Sequence, residues 1–416
     1  MMRCKTEEEI AGNTDGGSLS KMICKRGLQM KNRIWILLAL IMTLAFVPLL
    51  AGEAEGKPDD DSFDSNTVYY NGHYYPTLKE ALTAVYMSKP DGMAELYCKT
   101  GADVGPLTHG HVADDIIIYG NGARVSGGEY DLEIDTYRFD RETGEQSASG
   151  TFLDKDITVR VYDLNGIAAW GQRNTNHTIN LYFENCKNMN RIYFTNTVNN
   201  KGRINIILKD CSFDANQGSN ANTSVYSNAP GDILISDTTF TDIAVGLNIN
   251  HNSAGVQNIT LENCIFTDCA LSDSSQAAST KTYGAPVRIV AQPGATTNLI
   301  IKGAEFCYNT GNQNVGNGDV LIGDGRYDAP ENQGTVTLQM TGTNADVVVQ
   351  KAKYYTATGG VNDAQKAQTT EVSQNETLVA NKNTHFVLDS HDQIKLVGEK
   401  QATCTAEGYT GDKVCS

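Results

Sequence analysis

Positive charge is scarce in this sequence of 416 residues, which has 33 Lys and Arg against 49 Asp and Glu and a formal net charge of −16. Nucleic acids and anionic membranes are bound through basic patches, so the charge balance excludes nucleic acid as the expected partner. Only 40% of the residues are hydrophobic, which is too few for a protein with several membrane spans. The length allows one large domain or two to three ordinary ones.

The sequence also lacks the local motifs of common enzyme classes. It has no Ser-His-Asp set, no phosphate-binding loop and no Cys/His nucleophile pattern. Asn-Gly pairs of the kind that join hairpin strands are few between its apolar segments. Neither a standard active site nor a sheet of tight hairpins is therefore expected.

A secretion signal is predicted near the N-terminus, over residues 30–54. Lys31 and Arg33 precede the apolar residues 34–50, and the small residues Ala51 and Ala54 follow. A basic flank, an apolar core and a small-residue exit are typical of a signal peptide. Residues 1–29 are interpreted as a gene-model extension, with Met30 as the start. The expected location is secreted or cell-surface, and the alternative is an uncleaved anchor, the one case that brings in a membrane.

The middle of the chain repeats one pattern, apolar-x-apolar-x-x-small-x-Phe. The Phe recurs at 213, 240, 266 and 306, with spacings of 27, 26 and 40 residues. Alternation of period two predicts strands, and a fixed period in the mid-twenties predicts a solenoid in which stacked coils share one core. The expected fold is all-β, a single-stranded parallel β-helix over residues 112–349, with Leu208, Phe240 and Leu261 in its interior.

The repeated Ile-x-Leu-x-Asn-Cys-x-Phe pattern resembles that of the pectate-lyase-like right-handed parallel β-helix proteins of bacterial surfaces. The resemblance covers about residues 112–345. Residues 68–84 resemble the N-terminal segment of such proteins, in which a strand and an Asn-Gly turn lead into a short helix that caps the solenoid. Here the helix is predicted over residues 78–87, with Thr77 as N-cap and Glu80 completing a capping box, within an N-terminal unit of residues 55–111.

The repeat ends after Val349. Residues 350–390 are interpreted as a C-terminal cap or linker. Residues 391–416 resemble a small Cys-containing module found at the C-terminal ends of Gram-positive surface proteins. Cys404 and Cys415 match its cysteines, and because the chain stops at Ser416, inside the turn that the second Cys begins, the resemblance implies that the module is truncated.

One repeat position is small in every copy and is predicted to form an interior ladder. It holds Cys186, Cys211 and Cys264, with Thr238 and Ala304 in the other copies. The thiols are interpreted as small buried hydrophobes, and a Cys186–Cys211 disulfide is the alternative. The preceding residues tolerate left-handed backbone angles and predict a turn: Asn185, Asp210, Asp237, Asn263 and Gly303.

A second strand in each coil is predicted to carry the ligand-binding face. Its outward residues are Trp170, Tyr193, Tyr226, Asn248 and Arg288. Aromatic rings stack on sugars, and Asn and Arg bind hydroxyls and carboxylates, so the hypothesis is a face for an extracellular polysaccharide or a host or cell-surface glycan. The alternative is an ordinary strand surface, since Tyr favours strands anyway.

A polar segment near the end of the solenoid is the weaker candidate for chemistry. Asp319, Asp324 and Asp328 offer oxygens to Ca²⁺, the one possible cofactor. Asp324 and Arg326 are the catalytic candidates, because polysaccharide lyases of the resembled fold use an Arg; a loop with incidental charges is the alternative. The favoured function is a non-catalytic carbohydrate-binding protein or adhesin, and the alternative is a polysaccharide lyase or glycoside hydrolase.

Overall fold

The structure, a computed structural model, describes residues of the unit Pro58–Ser416. The described residues are 58–126, 132–134, 138–139, 146–147, 153, 155–172, 176–195, 202–219, 222–252, 254–269, 285–292, 294–307, 319–322, 335–343, 345, 347–349, 384–388, 394–398, 408–410 and 413–415. Strands dominate this part of the chain, which confirms the all-β class.

The first sheet has eleven described strands and is parallel except at one end. In spatial order its strands are His73–Tyr75, Val68–Tyr70, Ala94–Cys98, Ile116–Tyr119, Ile157–Tyr162, Thr178–Glu184, Arg203–Lys209, Ile233–Ser236, Gly255–Glu262, Ala295–Lys302 and Thr335–Thr341. The first two pair antiparallel with each other. The parallel pairing begins with Ala94–Cys98, which precedes residue 112 and pairs with Ile116–Tyr119.

The second sheet also has eleven described strands. In spatial order they are Gly110–Val112, Leu132–Ile134, Ala169–Gln172, Ile192–Thr195, Thr223–Ser227, Val245–His251, Val287–Ala291, Val320–Ile322, Val347–Val349, Ile394–Gly398 and Thr384–Leu388. The last two join antiparallel.

A third sheet is short and entirely parallel. Its strands are Ser212–Asp214, Thr239–Thr241, Ile265–Thr267 and Glu305–Cys307. Two antiparallel strand pairs complete the described strands: Arg138–Phe139 with Gln146–Ser147, and Gly408–Thr410 with Lys413–Cys415.

The predicted repeat register is confirmed by a stack of phenylalanines on the third sheet. Phe213, Phe240, Phe266 and Phe306 pair in that order, and their ring centroids are 5.2, 4.6 and 4.8 Å apart with nearly parallel planes. Gly246 lies against this stack. A Cβ there would lie 2.8 Å from Cε1 of Phe266, so only glycine lets the two segments approach so closely.

The apolar residues that alternate along the strands form one continuous core. Leu208, Phe240 and Leu261 are fully buried in it, as the repeat predicts. Strands such as Arg203–Lys209 alternate buried and half-buried residues, which is the burial pattern of a strand with one face on a core.

The N-terminal helix spans Leu78–Ser88, which confirms a helix where one was predicted over residues 78–87. The Thr77 hydroxyl accepts a hydrogen bond from the Glu80 backbone N–H at 3.3 Å, which is half of the predicted capping box. Its apolar face is buried through Leu78, Leu82 and Val85. Two 3-10 helices, Asp60–Phe63 and Ala215–Gln217, are the other described helices. Within the described residues no helix has the length and apolar character that a membrane span needs.

The turn after the first sheet has the left-handed backbone that its residue types predict. Asn185, Asp210, Asp237 and Asn263 all have φ between 49° and 55°, and Gly303 has φ 62°. Side chains bond along the turn, with Nδ2 of Asn185 donating to Asp163 at 3.1 Å and that of Asn263 to Asp237 at 3.3 Å. The carboxylates of Asp163 and Asp237 therefore accept hydrogen bonds within the turn, as the sequence indicates.

The predicted thiol ladder lies in the interior. Cys186, Cys211 and Cys264 are buried and not joined in disulfides. Burial raises the pKa of Cys264 to about 12, so its thiol stays protonated and unreactive at neutral pH.

We expect all three thiols to react with an alkylating agent only after denaturation, and then without reductant. Burial excludes the reagent from the folded chain, and a free thiol needs no reduction. Peptide mapping after alkylation with and without denaturant measures this. A Cys186–Cys211 cross-linked peptide would contradict the free-thiol ladder.

Candidate functional site

The outward side chains of the second sheet form one continuous row, which we call the polar row. Neighbouring strands pair its members directly: His111, Glu133, Trp170, Tyr193, Tyr226, Asn248, Arg288 and Leu321. The five residues selected from the sequence are thus consecutive members of one row. His111 and Glu133 extend the row at its N-terminal end.

Two tyrosines in the middle of the row stack on each other. The ring centroids of Tyr193 and Tyr226 are 4.6 Å apart with planes 17° from parallel, and the Arg191 guanidinium lies 5.5 Å from the centroid of Tyr193. Each ring therefore covers one face of the other. A sugar would meet ring edges and hydroxyl groups here, which differs from the face-on stacking expected from the sequence.

The next two residues of the row are buried, which corrects the expectation that both are exposed. Asn248 is 3% exposed and Arg288 is 1% exposed. Nη1 of Arg288 donates a hydrogen bond to Oδ1 of Asn248 at 2.9 Å. All five residues of Val287–Ala291 are buried, so both faces of this strand are covered and Arg288 takes part in internal contacts.

The N-terminal end of the row contains a carboxylate between two histidines. Oε1 of Glu133 lies 2.5 Å from Nδ1 of His109, and Oε2 lies 3.2 Å from Nδ1 of His111. The imidazole rings are nearly parallel, with centroids 6.3 Å apart. The Glu133 side chain is fully buried, whereas the side chains of His109 and His111 are 52% and 20% exposed. We call these three residues the His–Glu–His group.

Strand pairing explains the contact of His111 with Glu133, which are direct partners on neighbouring strands. His109 precedes the strand Gly110–Val112 and has a left-handed backbone with φ 60°, in which its ring lies nearly parallel to that of His111 and reaches the same carboxylate. The group was not predicted from the sequence, because Glu133 lies in the interval 123–166, which contains no clear copy of the repeated pattern. The His-x-His spacing was a signal that could have indicated it.

The environment of His111 favours its neutral form. Burial is the main cause that lowers the pKa of His111 to about 4, and the charges of His109 and Lys79 act in the same direction. A carboxylate oxygen only accepts hydrogen bonds, so a neutral His111 carries its proton on Nδ1 toward Glu133. Its Nε2 then bears a lone pair, as in a base oriented by a carboxylate.

A second aromatic column lies on the first sheet and was not predicted. Tyr97, Tyr119 and Tyr162 stack in succession, with centroids 4.8 and 5.8 Å apart and planes 15° from parallel. Tyr182 follows at 5.5 Å from Tyr162, in a tilted arrangement. This tyrosine column is a chemically similar surface against which the polar row can be compared.

Most of the other functional residues predicted from the sequence lie outside the described residues. Asp324, Arg326 and Asp328 lie outside the described residues, as does Cys404. Asp319 is described, at the start of Val320–Ile322, and its carbonyl accepts a hydrogen bond from the Val287 N–H at 3.1 Å. In the described part of the chain no three His, Cys, Asp or Glu side chains are arranged to hold a metal ion. The predicted Ca²⁺ site therefore stays a prediction.

Comparison with known proteins gives no relative, since no family model, curated protein or solved structure matches this chain.

Proposed function

We propose that the parallel sheets are walls of one right-handed β-helix. From Arg203 to Met340 the chain visits the first, third and second sheets in repeated order. Each time the chain returns to the first sheet, it adds one strand that pairs with the strand added before. The residues paired in this way are, in order, Leu208, Ile235, Leu261, Ile301 and Met340. A right hand is the expected one, because parallel crossovers with that hand pack back onto the sheet.

We propose further that this β-helix is a secreted or cell-surface protein that binds a glycan along the polar row. The observation that carries the proposal is the register of Trp170, Tyr193 and Tyr226 on consecutive strands. Neighbouring strands are about 4.8 Å apart, which is comparable to one sugar ring, so an extended glycan would meet one residue of the row per ring.

The stacked tyrosines determine the mode of binding. Because the two rings cover each other's faces, their edges and hydroxyl groups are proposed to contact sugar hydroxyls, while Trp170 contributes apolar contact at the next strand. Asn248 and Arg288 follow Tyr226 in the row, but they are buried and bonded to each other, so the glycan contacts are assigned to Trp170 and the two tyrosines. The location rests on the signal pattern of residues 30–54.

We expect Tyr226→Ala to weaken glycan binding by at least about 1 kcal/mol, about fivefold in Kd. The substitution removes the hydroxyl and also exposes the face of Tyr193. A glycan array identifies ligands, and titration calorimetry on one of them measures Kd. Tyr226→Phe keeps the stack and removes only the hydroxyl, so it separates the two contributions.

The control for this prediction is Tyr119→Ala in the tyrosine column, with the melting temperature of each variant recorded. Unchanged Kd for Tyr226→Ala, or an equal loss for Tyr119→Ala, would reject the polar row as the binding surface. Analysis of the bound glycan for cleavage products tests the alternative of a polysaccharide lyase or glycoside hydrolase.

A further inference from the structure

The His–Glu–His group has the arrangement of a proton-transfer site at the end of the polar row. We propose that it catalyses the hydrolysis of O-acyl esters carried by the glycan, an inference that rests on the proposed glycan binding. His111 is the general base, His109 the general acid, and Glu133 the positioning residue between them.

Burial of the carboxylate defines its role. The Glu133 side chain is fully buried beneath two partly exposed rings, so substrate would meet the imidazoles and not the carboxylate. Nδ1 of His109 and Nδ1 of His111 lie 2.5 and 3.2 Å from separate oxygens of Glu133, so both rings present Nδ1 to the carboxylate and direct Nε2 away from it. Glu133 thus acts through the histidines, as the buried acid of a catalytic triad does.

The two histidines differ in exposure, which divides the roles. His111 is the more buried ring, and the positive charge of His109 further opposes its protonation. His109 is the more exposed ring and lies 2.5 Å from Glu133, so it is the histidine placed to give a proton to a leaving group that approaches from solvent. One ring can then accept a proton while its neighbour supplies one.

The reaction balances without a cofactor. Nε2 of His111 takes a proton from water as the water oxygen bonds to the acyl carbon, whose carbonyl electrons move to oxygen. The bond from the acyl carbon to the sugar oxygen then breaks, and that oxygen takes the proton of His109 Nε2. The products are a free sugar hydroxyl and a carboxylic acid, and the second proton returns from His111 to His109 through solvent.

Ester hydrolysis fits the group better than cleavage of a glycosidic bond. Glycosidases place two carboxyl groups on either side of the bond, one as acid and one as nucleophile or base. The carboxylate here is covered by its histidines and does not reach a sugar. Imidazole bases that activate water suit a carbonyl carbon, which is already electrophilic.

Release of acetate from p-nitrophenyl acetate and from O-acetylated xylan tests the proposal. We expect wild-type protein to hydrolyse both, and His111→Gln to lower kcat by about 10²-fold or more on both. His109→Gln should lower kcat on the xylan ester but little on the aryl ester, because nitrophenolate leaves without a proton. Glu133→Gln should lower kcat on both and shift the acid limb of the pH profile, which a purely structural role would not do.

His177→Gln is the matched control, because Nδ1 of His177 lies 3.5 Å from Oδ1 of Asp156 outside the polar row. It should leave both rates unchanged, and melting temperatures report whether each variant folds. The proposal is overturned if wild-type protein hydrolyses the aryl ester no faster than His111→Gln. It is also overturned if a chelator abolishes the activity and zinc restores it, since the histidines would then be metal ligands. If the protein hydrolyses the aryl ester but binds no glycan, only the proposal that the polar row binds glycan is rejected. If it binds glycan but hydrolyses neither ester, only the proposal of ester hydrolysis is rejected.

Discussion

Replacement of Phe240 by Ala is expected to lower the free energy of unfolding by about 3–5 kcal/mol. Phe240 is fully buried between Phe213 and Phe266, at centroid distances of 5.2 and 4.6 Å. The loss of its ring removes apolar contacts on both sides and leaves a cavity, because strands fixed by hydrogen bonds on each side cannot close the gap. Chemical denaturation followed by circular dichroism measures the change.

Thr241→Ala is the control on the same strand, because Thr241 is half-buried beside the stack and outside the core. It should change the free energy of unfolding by no more than about 0.5 kcal/mol. If the free energy of unfolding of Phe240→Ala lies within about 1 kcal/mol of the wild-type value, the ring stack is not a continuous part of the core.

Acidification from pH 6.5 to 4 is expected to destabilise the protein by about 3 kcal/mol through His251 alone. His251 is fully buried, with Nδ1 3.2 Å from Oγ1 of Thr297, and its Nε2 has no hydrogen-bond partner among the described residues. Burial, with a smaller contribution from Arg203, lowers its pKa from 6.5 to about 4. The unfolded chain therefore binds this proton first as the pH falls. The free energy of unfolding is independent of this group well above pH 6.5 and decreases steadily until about pH 4.

Urea denaturation at several pH values, compared between wild type and His251→Gln, isolates this contribution. Gln keeps a polar side chain near Thr297 but binds no proton, so its stability should fall less over the same interval. His177→Gln is the control, since it removes a partly exposed histidine. If the free energy of unfolding falls equally with pH in wild type and in His251→Gln, then His251 is not buried in its neutral form.

The repeat made much of the fold predictable, because a strand that faces a core has to alternate. The pattern identified Leu208 and Leu261 as interior residues and set the phenylalanine register, and both are confirmed. The helix Leu78–Ser88 was predictable from its N-cap. The strand Leu132–Ile134 was not, because it joins the second sheet from an interval in which the repeat is interrupted.

The strand pairing of the candidate site residues could be predicted from the sequence, but their burial could not. Alternation selects the residues on one face of a strand, which is why Trp170, Tyr193 and Tyr226 pair in the order expected. Alternation does not report whether that face is covered, so the burial of Arg288 was not foreseen. The contact of Glu133 with His109 depends on pairing between strands more than twenty residues apart, and a single strand's pattern contains no such information.

The phenylalanine stack has a consequence for insertions in the sequence. The interval from Phe266 to Phe306 is 40 residues long, against 26 and 27 in the preceding intervals, yet these two rings stack as closely as the others. Additional residues between two strands of the third sheet are therefore compatible with an unchanged ring stack. Such a chain can acquire or exchange whole loops in evolution, or accept a foreign peptide for display, while the scaffold that supports them keeps its spacing.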